Sequence, residues 1–266
     1  MGKKSADATV CFIPGLGFAY TTYKKLLQSI HQHGRSFCAF EYDAEANLPV
    51  PEGSQAQVGE WIEHKQFSHA QVQRALSVIA MIEKTPLHRP VDMVTHSVGA
   101  LYAVLAAAIR PDLFRSIELY APAGMIRGDT REDLLKRAGD LPTLIRNQFR
   151  LLDIDTEEKH ARDFLRNAQS DWMLFAAQRT LRGDFYEQIG EVASAYIVPM
   201  VRALIEKGIR VSVELGERDV IFPPKLLKTA LDAEGIPYVE HAGAGHFAIG
   251  TRADLMEHLA EKLQVT

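Results

Sequence analysis

The sequence predicts an α/β fold: a mostly parallel central sheet with helices on both faces, interrupted by an inserted all-helical segment. Three observations lead there. Short, uniformly apolar runs alternate with longer amphipathic ones along most of the chain, the pattern of strands buried on both faces and joined by crossover helices. The 266 residues suffice for one large core. The alternation fails only between residues 125 and 195, where helix-like pieces follow one another without a strand. The expected organisation is therefore a core from 1–124 and 196–266, with 125–195 as a helical cap inserted in it.

The strand-like runs are 8–13, 36–42, 91–95, 116–120, 209–215 and 237–241. Between them, 20–33 places Tyr23, Leu26, Leu27 and Ile30 on one side at helical spacing, and 69–83 and 252–263 are patterned alike. Residues 44–60 read as a long polar connection with two prolines. Within the insertion the helical pieces are 131–138, 143–152, 157–168 and 171–181, with Gly124, Gly128 and Gly183 as flexible points.

Composition narrows the function. Apolar residues make up 47% and charged ones 24%, with a net charge of −4, so no clustered cationic surface favours nucleic acid. Ten of the 18 arginines lie between Arg127 and Arg202. Solvated helix faces paired with nearby carboxylates account for them, and an anionic substrate is the sharper alternative. The longest uncharged run, 93–109, contains Thr, His, Ser and Gly and is no membrane span. The apolar stretch 8–13 is too short for a secretory leader, and a cytoplasmic protein is expected. Cys11 and Cys38 both sit in strand-like runs. A reducing compartment fits them, with a disulfide as the alternative, and two cysteines make no metal cluster. No metal or cofactor is expected, and no motif specifies an oligomeric state.

The chemistry centres on Thr95-His96-Ser97-Val98-Gly99, where a strand-like run turns into an Ala- and Leu-rich helix. Either Ser97 caps that helix, or it is a nucleophile held at a sharp turn with the helix N-terminus facing developing charge. A small residue two positions after the serine suits such a turn; two before it stands Thr95, not glycine. A serine hydroxyl also needs a base and a stabilised oxyanion. Asp219 follows the fifth strand and His246 the sixth, which puts both at the carboxyl edge of the sheet, where sites gather. The first strand ends in Pro14-Gly15-Leu16-Gly17, whose glycines let backbone N–H groups turn toward a substrate oxygen. A phosphate loop is the rival there, but no Lys-Ser/Thr continuation follows.

These segments resemble α/β-hydrolase fold serine hydrolases with a helical cap, esterases and lipases among them, over nearly the whole chain. The resemblance rests on Pro14-Gly15-Leu16-Gly17, Thr95–Gly99, Gly216-Glu217-Arg218-Asp219 with Pro223, and Gly245-His246-Phe247. It implies Ser97 as nucleophile, His246 as general base, Asp219 as the acid that orients it, and an oxyanion hole from the Leu16 and Val98 backbone N–H groups. It implies a small-molecule acyl substrate, with carboxylic ester hydrolysis the general reaction. Thioester, lactone and carbon–carbon bond hydrolysis use the same set, and a ligand-binding protein that keeps the triad without turnover is the rival from another class. No leading hairpin is expected before residue 8, where many relatives carry one, and no Arg-Gly-x-Gly-x-Ser segment follows Tyr42. Other residues are assigned more modestly. His96 is expected to point away from substrate, Glu217 is the alternative acid, and His241 is a surface or supporting residue. Trp172, Met173, Phe175, Phe185 and Tyr186 are expected either to line an acyl pocket or to pack as core.

Overall fold

A computed structural model describes residues 9–40, 47–138 and 159–264. Six strands make one sheet: β1 (Val10–Ile13), β2 (Phe37–Ala39), β3 (Val91–His96), β4 (Phe114–Tyr120), β5 (Arg210–Gly216) and β6 (Tyr238–His241). Their order is β2-β1-β3-β4-β5-β6, and every pairing is parallel. Each predicted strand is present. Every residue of β1 and β3 is buried, which is why both read as continuous apolar runs.

The order fixes where a site can form. From β1 the chain moves outward to β2 through α1 (Lys24–Gln32), then returns past β1 to β3 and proceeds the other way through α4 (Gly99–Ile109) to β4. Right-handed crossovers in opposite directions put α1 and α4 on opposite faces. A crevice therefore opens beyond the carboxyl ends of β1 and β3, the strands that lead into Pro14–Gly17 and Ser97. α1 packs against α11 (Ala253–Lys262), while α3 (His69–Lys84) and α8 (Val198–Glu206) pack against α4. A capping box, with Ser68 and Gln71 bonding each other's backbone N–H, starts α3.

Two segments differ from expectation. Part of the polar stretch 44–60 enters a helix, α2 (Gln55–Glu63). Only Val58 and Trp61 anchor it, three residues apart, too thin a periodic signal to announce a helix. In the insertion, α5 (Arg131–Ala138) lies where expected, but 157–168 and 171–181 join into one helix, α6 (Lys159–Arg182). The intervening Gln169-Ser170 contains no glycine or proline to break it. The expected helix 143–152 lies outside the described residues. α7 (Phe185–Ser194), α9 (Pro224–Ala233) and the short α10 (Ala248–Thr251) complete the α-helices described. No single helix among the described residues is long and apolar enough to cross a membrane.

Cys11 and Cys38 are register partners on β1 and β2, and both are free thiols. Burial pushes both thiols' pKa up, which favours the protonated form.

Candidate active site

The turn at Ser97 is strained in a specific way. Ser97 has φ +54°, a left-handed conformation that costs a non-glycine residue free energy. It is over-determined by its neighbours: its N–H donates to Tyr120 O at 3.0 Å, and its carbonyl accepts from Ala100 and Ala123 at 3.1 Å each. The first helical residue of α4 is Gly99, its N-cap is Val98, and no side chain caps that end. Among the described residues, none hydrogen-bonds Ser97 Oγ, so the capping alternative is not realised. Gly99 is required because a Cβ there would lie 2.7 Å from Ile13 O and 2.8 Å from Pro14 O. Thr95 fits two residues before the serine because its Oγ1 donates to Glu118 O at 3.2 Å, across to β4.

Beyond β5 and β6 the chain brings the other two side chains together. Asp219 Oδ2 lies 2.9 Å from His246 Nδ1, and both residues are buried. Asp219 Oδ1 accepts the backbone N–H groups of Ile221 at 2.8 Å and Phe222 at 3.0 Å, so the carboxylate's orientation is fixed from the opposite side. Glu217, the alternative acid, accepts the Gly243 N–H at 2.6 Å, and its carboxylate is not the one on His246. Gly216 lets the two loops touch, since a Cβ there would sit 2.6 Å from Ala244 O.

The third loop follows β1. Gly17 takes φ +76°, and Phe18 N–H closes the turn onto Gly15 O at 3.2 Å. α6 rests on this loop: Asp171 Oδ2 accepts from Ala19 N–H at 3.0 Å and Thr22 Oγ1 at 2.6 Å. A Cβ on Gly17 would meet the Phe175 ring at 2.7 Å. Leu16 follows Gly15, and Val98 stands at the N-terminus of α4, where backbone N–H groups lack intrahelical acceptors.

Ser97 and His246 share a cavity of about 60 Å³ with Leu16 and Val98. Its remaining walls are apolar: Phe18, Leu134, Trp172, Ile189, Val192, Ile221, Phe222 and Phe247 close it. Of the aromatic residues proposed for such a pocket, Trp172 is in the wall. Phe185 packs edge-on against Trp172, with ring centroids 6.1 Å apart. Phe175 lines a second cleft of about 240 Å³ along the Pro14–Ala19 loop, while Met173 and Tyr186 are exposed. Ile189 and Val192 of α7 also line this cavity, and no motif in the sequence marks them for it. Arg131 and Arg202 pair with Glu132 and Glu206 on exposed helix faces, whereas Arg179–Asp184 is half-buried and Arg137–Asp129 largely buried.

Two buried groups lie behind the site. His96 is fully buried, its Nε2 2.8 Å from His246 O and its Nδ1 2.7 Å from the Tyr23 hydroxyl. Burial, and then the nearby His246, push its pKa well below the ordinary value, so the ring is neutral. Burial likewise drives the Tyr23 hydroxyl upward and keeps it protonated. Under β5 and β6, Glu214, His241 and His258 hold donor atoms within 4.8 Å of one another. Burial opposes the Glu214 charge, but hydrogen bonds from His241 and Lys262 hold its pKa down to about 2. Lys262 Nζ lies 2.6 Å from Glu214 Oε1 and 2.7 Å from Glu118, so an ammonium already supplies the cation that this cluster wants. His241 is thus a supporting residue in an ion-pair network.

No family model and no curated protein matches the sequence. Solved structures do. The 2-hydroxy-6-oxo-6-phenylhexa-2,4-dienoate hydrolase of Rhodococcus sp. strain RHA1 is similar with TM-score 0.62 and 16% identity, covering 98% of this chain and 91% of that one. A structure from a study of carboxylesterases of the thaumarchaeon Nitrososphaera gargenis gives TM-score 0.58 at 14% identity, over 98% and 91%. A thioesterase domain from the curacin biosynthetic pathway gives 0.60 at 14%, over 98% and 92%. At these identities the likeness establishes the fold.

Proposed function

We propose that this chain, which has the α/β-hydrolase fold, is a serine hydrolase that cleaves carboxylic esters of small or medium-sized substrates through an acyl-enzyme. The observation that carries the reading is the meeting of three strand-end loops at one apolar cavity. Ser97 stands on a left-handed turn there, and His246 is hydrogen-bonded to a buried Asp219 at 2.9 Å. A helix cap or a turn aspartate needs none of that.

In this reading His246 Nε2 takes the Ser97 Oγ proton as Oγ attacks the substrate carbonyl carbon. The carbonyl oxygen becomes an oxyanion facing the Leu16 and Val98 N–H groups. The tetrahedral intermediate collapses, and the leaving alcohol collects the proton from His246. Water then attacks the acyl-enzyme by the same route and regenerates Ser97. Asp219 holds His246 with the proton on Nδ1 and stabilises the imidazolium. Because Ser97 Oγ is not engaged by His246 among the described residues, that hydrogen bond forms as substrate closes the site, as is common for catalytic pairs.

The apolar walls select an apolar acyl group, and a cavity of about 60 Å³ selects a short one. Residues 125–195 act as the cap, since α5, α6 and α7 supply Leu134, Trp172, Ile189 and Val192 to the walls. A thioester with the same acyl group would use the same atoms. The test is a panel of p-nitrophenyl esters from acetate to decanoate with matching thioesters, run on the wild type and Ser97→Ala. Hydrolysis lost in the variant, with kcat/KM highest at four carbons or fewer, supports the proposal. Turnover that survives Ser97→Ala refutes it, and preference for thioesters replaces the ester reading.

A further inference from the structure

We infer that His96 and Tyr23 form a buried positioning relay that ties the Pro14–Gly17 turn to the main chain of His246. It keeps the oxyanion donors and the general base in register. The inference rests on the serine-hydrolase reading above and assigns two residues that the triad does not include.

Tyr23 and His96 are both buried, so their polar atoms call for protein partners. His96 Nε2 is 2.8 Å from the His246 carbonyl oxygen. A carbonyl only accepts, so Nε2 carries the proton. The ring is neutral, hence Nδ1 is a bare acceptor. The Tyr23 hydroxyl, 2.7 Å away and held protonated by burial, donates to it. Gly15 closes over this pair without a side chain: a Cβ there would lie 3.1 Å from His96 Nδ1 and 3.2 Å from Ser97 Cβ. The hydrogen bonds thus run from Tyr23 to His96 to His246 O, with the Gly15 backbone packed beside His96 Nδ1.

Its ends explain its use. Gly15 precedes Leu16, whose N–H is one proposed oxyanion donor, and the His246 carbonyl belongs to the residue that moves the proton. Those two loops follow β1 and β6, which lie on either side of β3 in the sheet, and His96 at the end of β3 reaches toward both. Tyr23 is itself wedged between Phe12 and Phe164, with ring centroids 4.7 and 5.3 Å away, which leaves its hydroxyl little freedom. The neutral state matters as well. The His96 and His246 rings are 4.8 Å apart, and a charged His96 would oppose the imidazolium that His246 becomes during acylation.

The experiment compares Tyr23→Phe, His96→Leu and His96→Gln with the wild type, recording kcat, KM and Tm on p-nitrophenyl acetate. Tyr23→Phe removes one oxygen and leaves the packing. Gln can place an amide N–H near the Nε2 position and donate to the His246 carbonyl, whereas Leu cannot. The relay predicts kcat lower by roughly 10- to 100-fold in Tyr23→Phe and His96→Leu, the scale of small misplacements of reacting groups. KM should stay within about three-fold, and His96→Gln should recover most of the loss whatever its Tm. Unchanged kcat in Tyr23→Phe, or a Gln variant no better than Leu at equal Tm, overturns the relay and leaves the serine-hydrolase reading intact. A wild type without turnover on any ester removes that reading and the relay with it.

Discussion

Asp219→Asn is the substitution whose consequence the geometry determines most fully. Asp219 Oδ1 accepts two backbone N–H groups, from Ile221 and Phe222, and Oδ2 faces His246 Nδ1 at 2.9 Å. An asparagine has one acceptor oxygen and one NH₂. Turning the NH₂ toward Ile221 and Phe222 would set donor against two donors in a buried site, so the oxygen must stay there and the NH₂ must face His246. Nδ1 can then only accept, which moves the imidazole proton to Nε2. A ring protonated at Nε2 cannot take the Ser97 proton. The expected loss in kcat is about 10⁴-fold, as when the acid of such a triad becomes an amide, or about 5.5 kcal/mol in transition-state stabilisation. Because both backbone hydrogen bonds survive, Tm should fall by less than about 5 °C. The assay is p-nitrophenyl butyrate hydrolysis at pH 7.5 with Tm recorded alongside. If Asp219→Asn retains more than a tenth of wild-type kcat, His246 does not draw its orientation from Asp219 and the reasoning fails.

Other outcomes follow from the same contacts. Trp172 forms part of the cavity wall, so Trp172→Ala should raise the octanoate-to-butyrate ratio of kcat/KM by at least about ten-fold, since each methylene accommodated counts for that order; an unchanged ratio would remove Trp172 from the acyl pocket. Gly17→Ala places a Cβ 2.7 Å from the Phe175 ring on a residue with φ +76°. It should cost about 1–3 kcal/mol in stability, and adding Phe175→Ala should restore only part, because the backbone strain remains; full recovery measured by urea unfolding would show that the clash was the whole effect. His96 stays neutral in the fold with its pKa well below 6.5. Below that pH the unfolded chain takes up a proton that the folded one does not. Its contribution to stability is therefore complete above pH 6.5 and is lost on acidification, by up to about 1.4 kcal/mol per pH unit. In His96→Gln the urea midpoint should fall less steeply between pH 7 and 5 than in the wild type; parallel slopes would contradict this.

Much of this was legible before any coordinates because burial on both faces writes itself into sequence. β1 and β3 are continuous apolar runs for that reason, and a parallel sheet carries the loops after its strands to one edge. Ser97, Asp219 and His246 could then be placed together from chain order alone. Thr95 departed from the small residue usual at its position, and only the structure shows why it fits: its hydroxyl finds Glu118 O on β4. What stayed hidden depends on pairing rather than pattern. α2 has two buried anchors and so no visible period. The join of two expected helices into α6 depends on the absence of a breaker, a weak signal. Tyr23 and His96 are 73 residues apart, and Tyr23 read only as one more apolar position on its helix. No spacing rule links residues that meet through the fold.

The most direct test of the central claim is the intact mass of the protein after treatment with a fluorophosphonate, with Ser97→Ala treated alongside. The account predicts one phosphonyl adduct per wild-type chain and none on the variant, because only a serine served by a base and facing an oxyanion hole reacts in this way. A wild type without an adduct, or a variant labelled to the same extent, would contradict it.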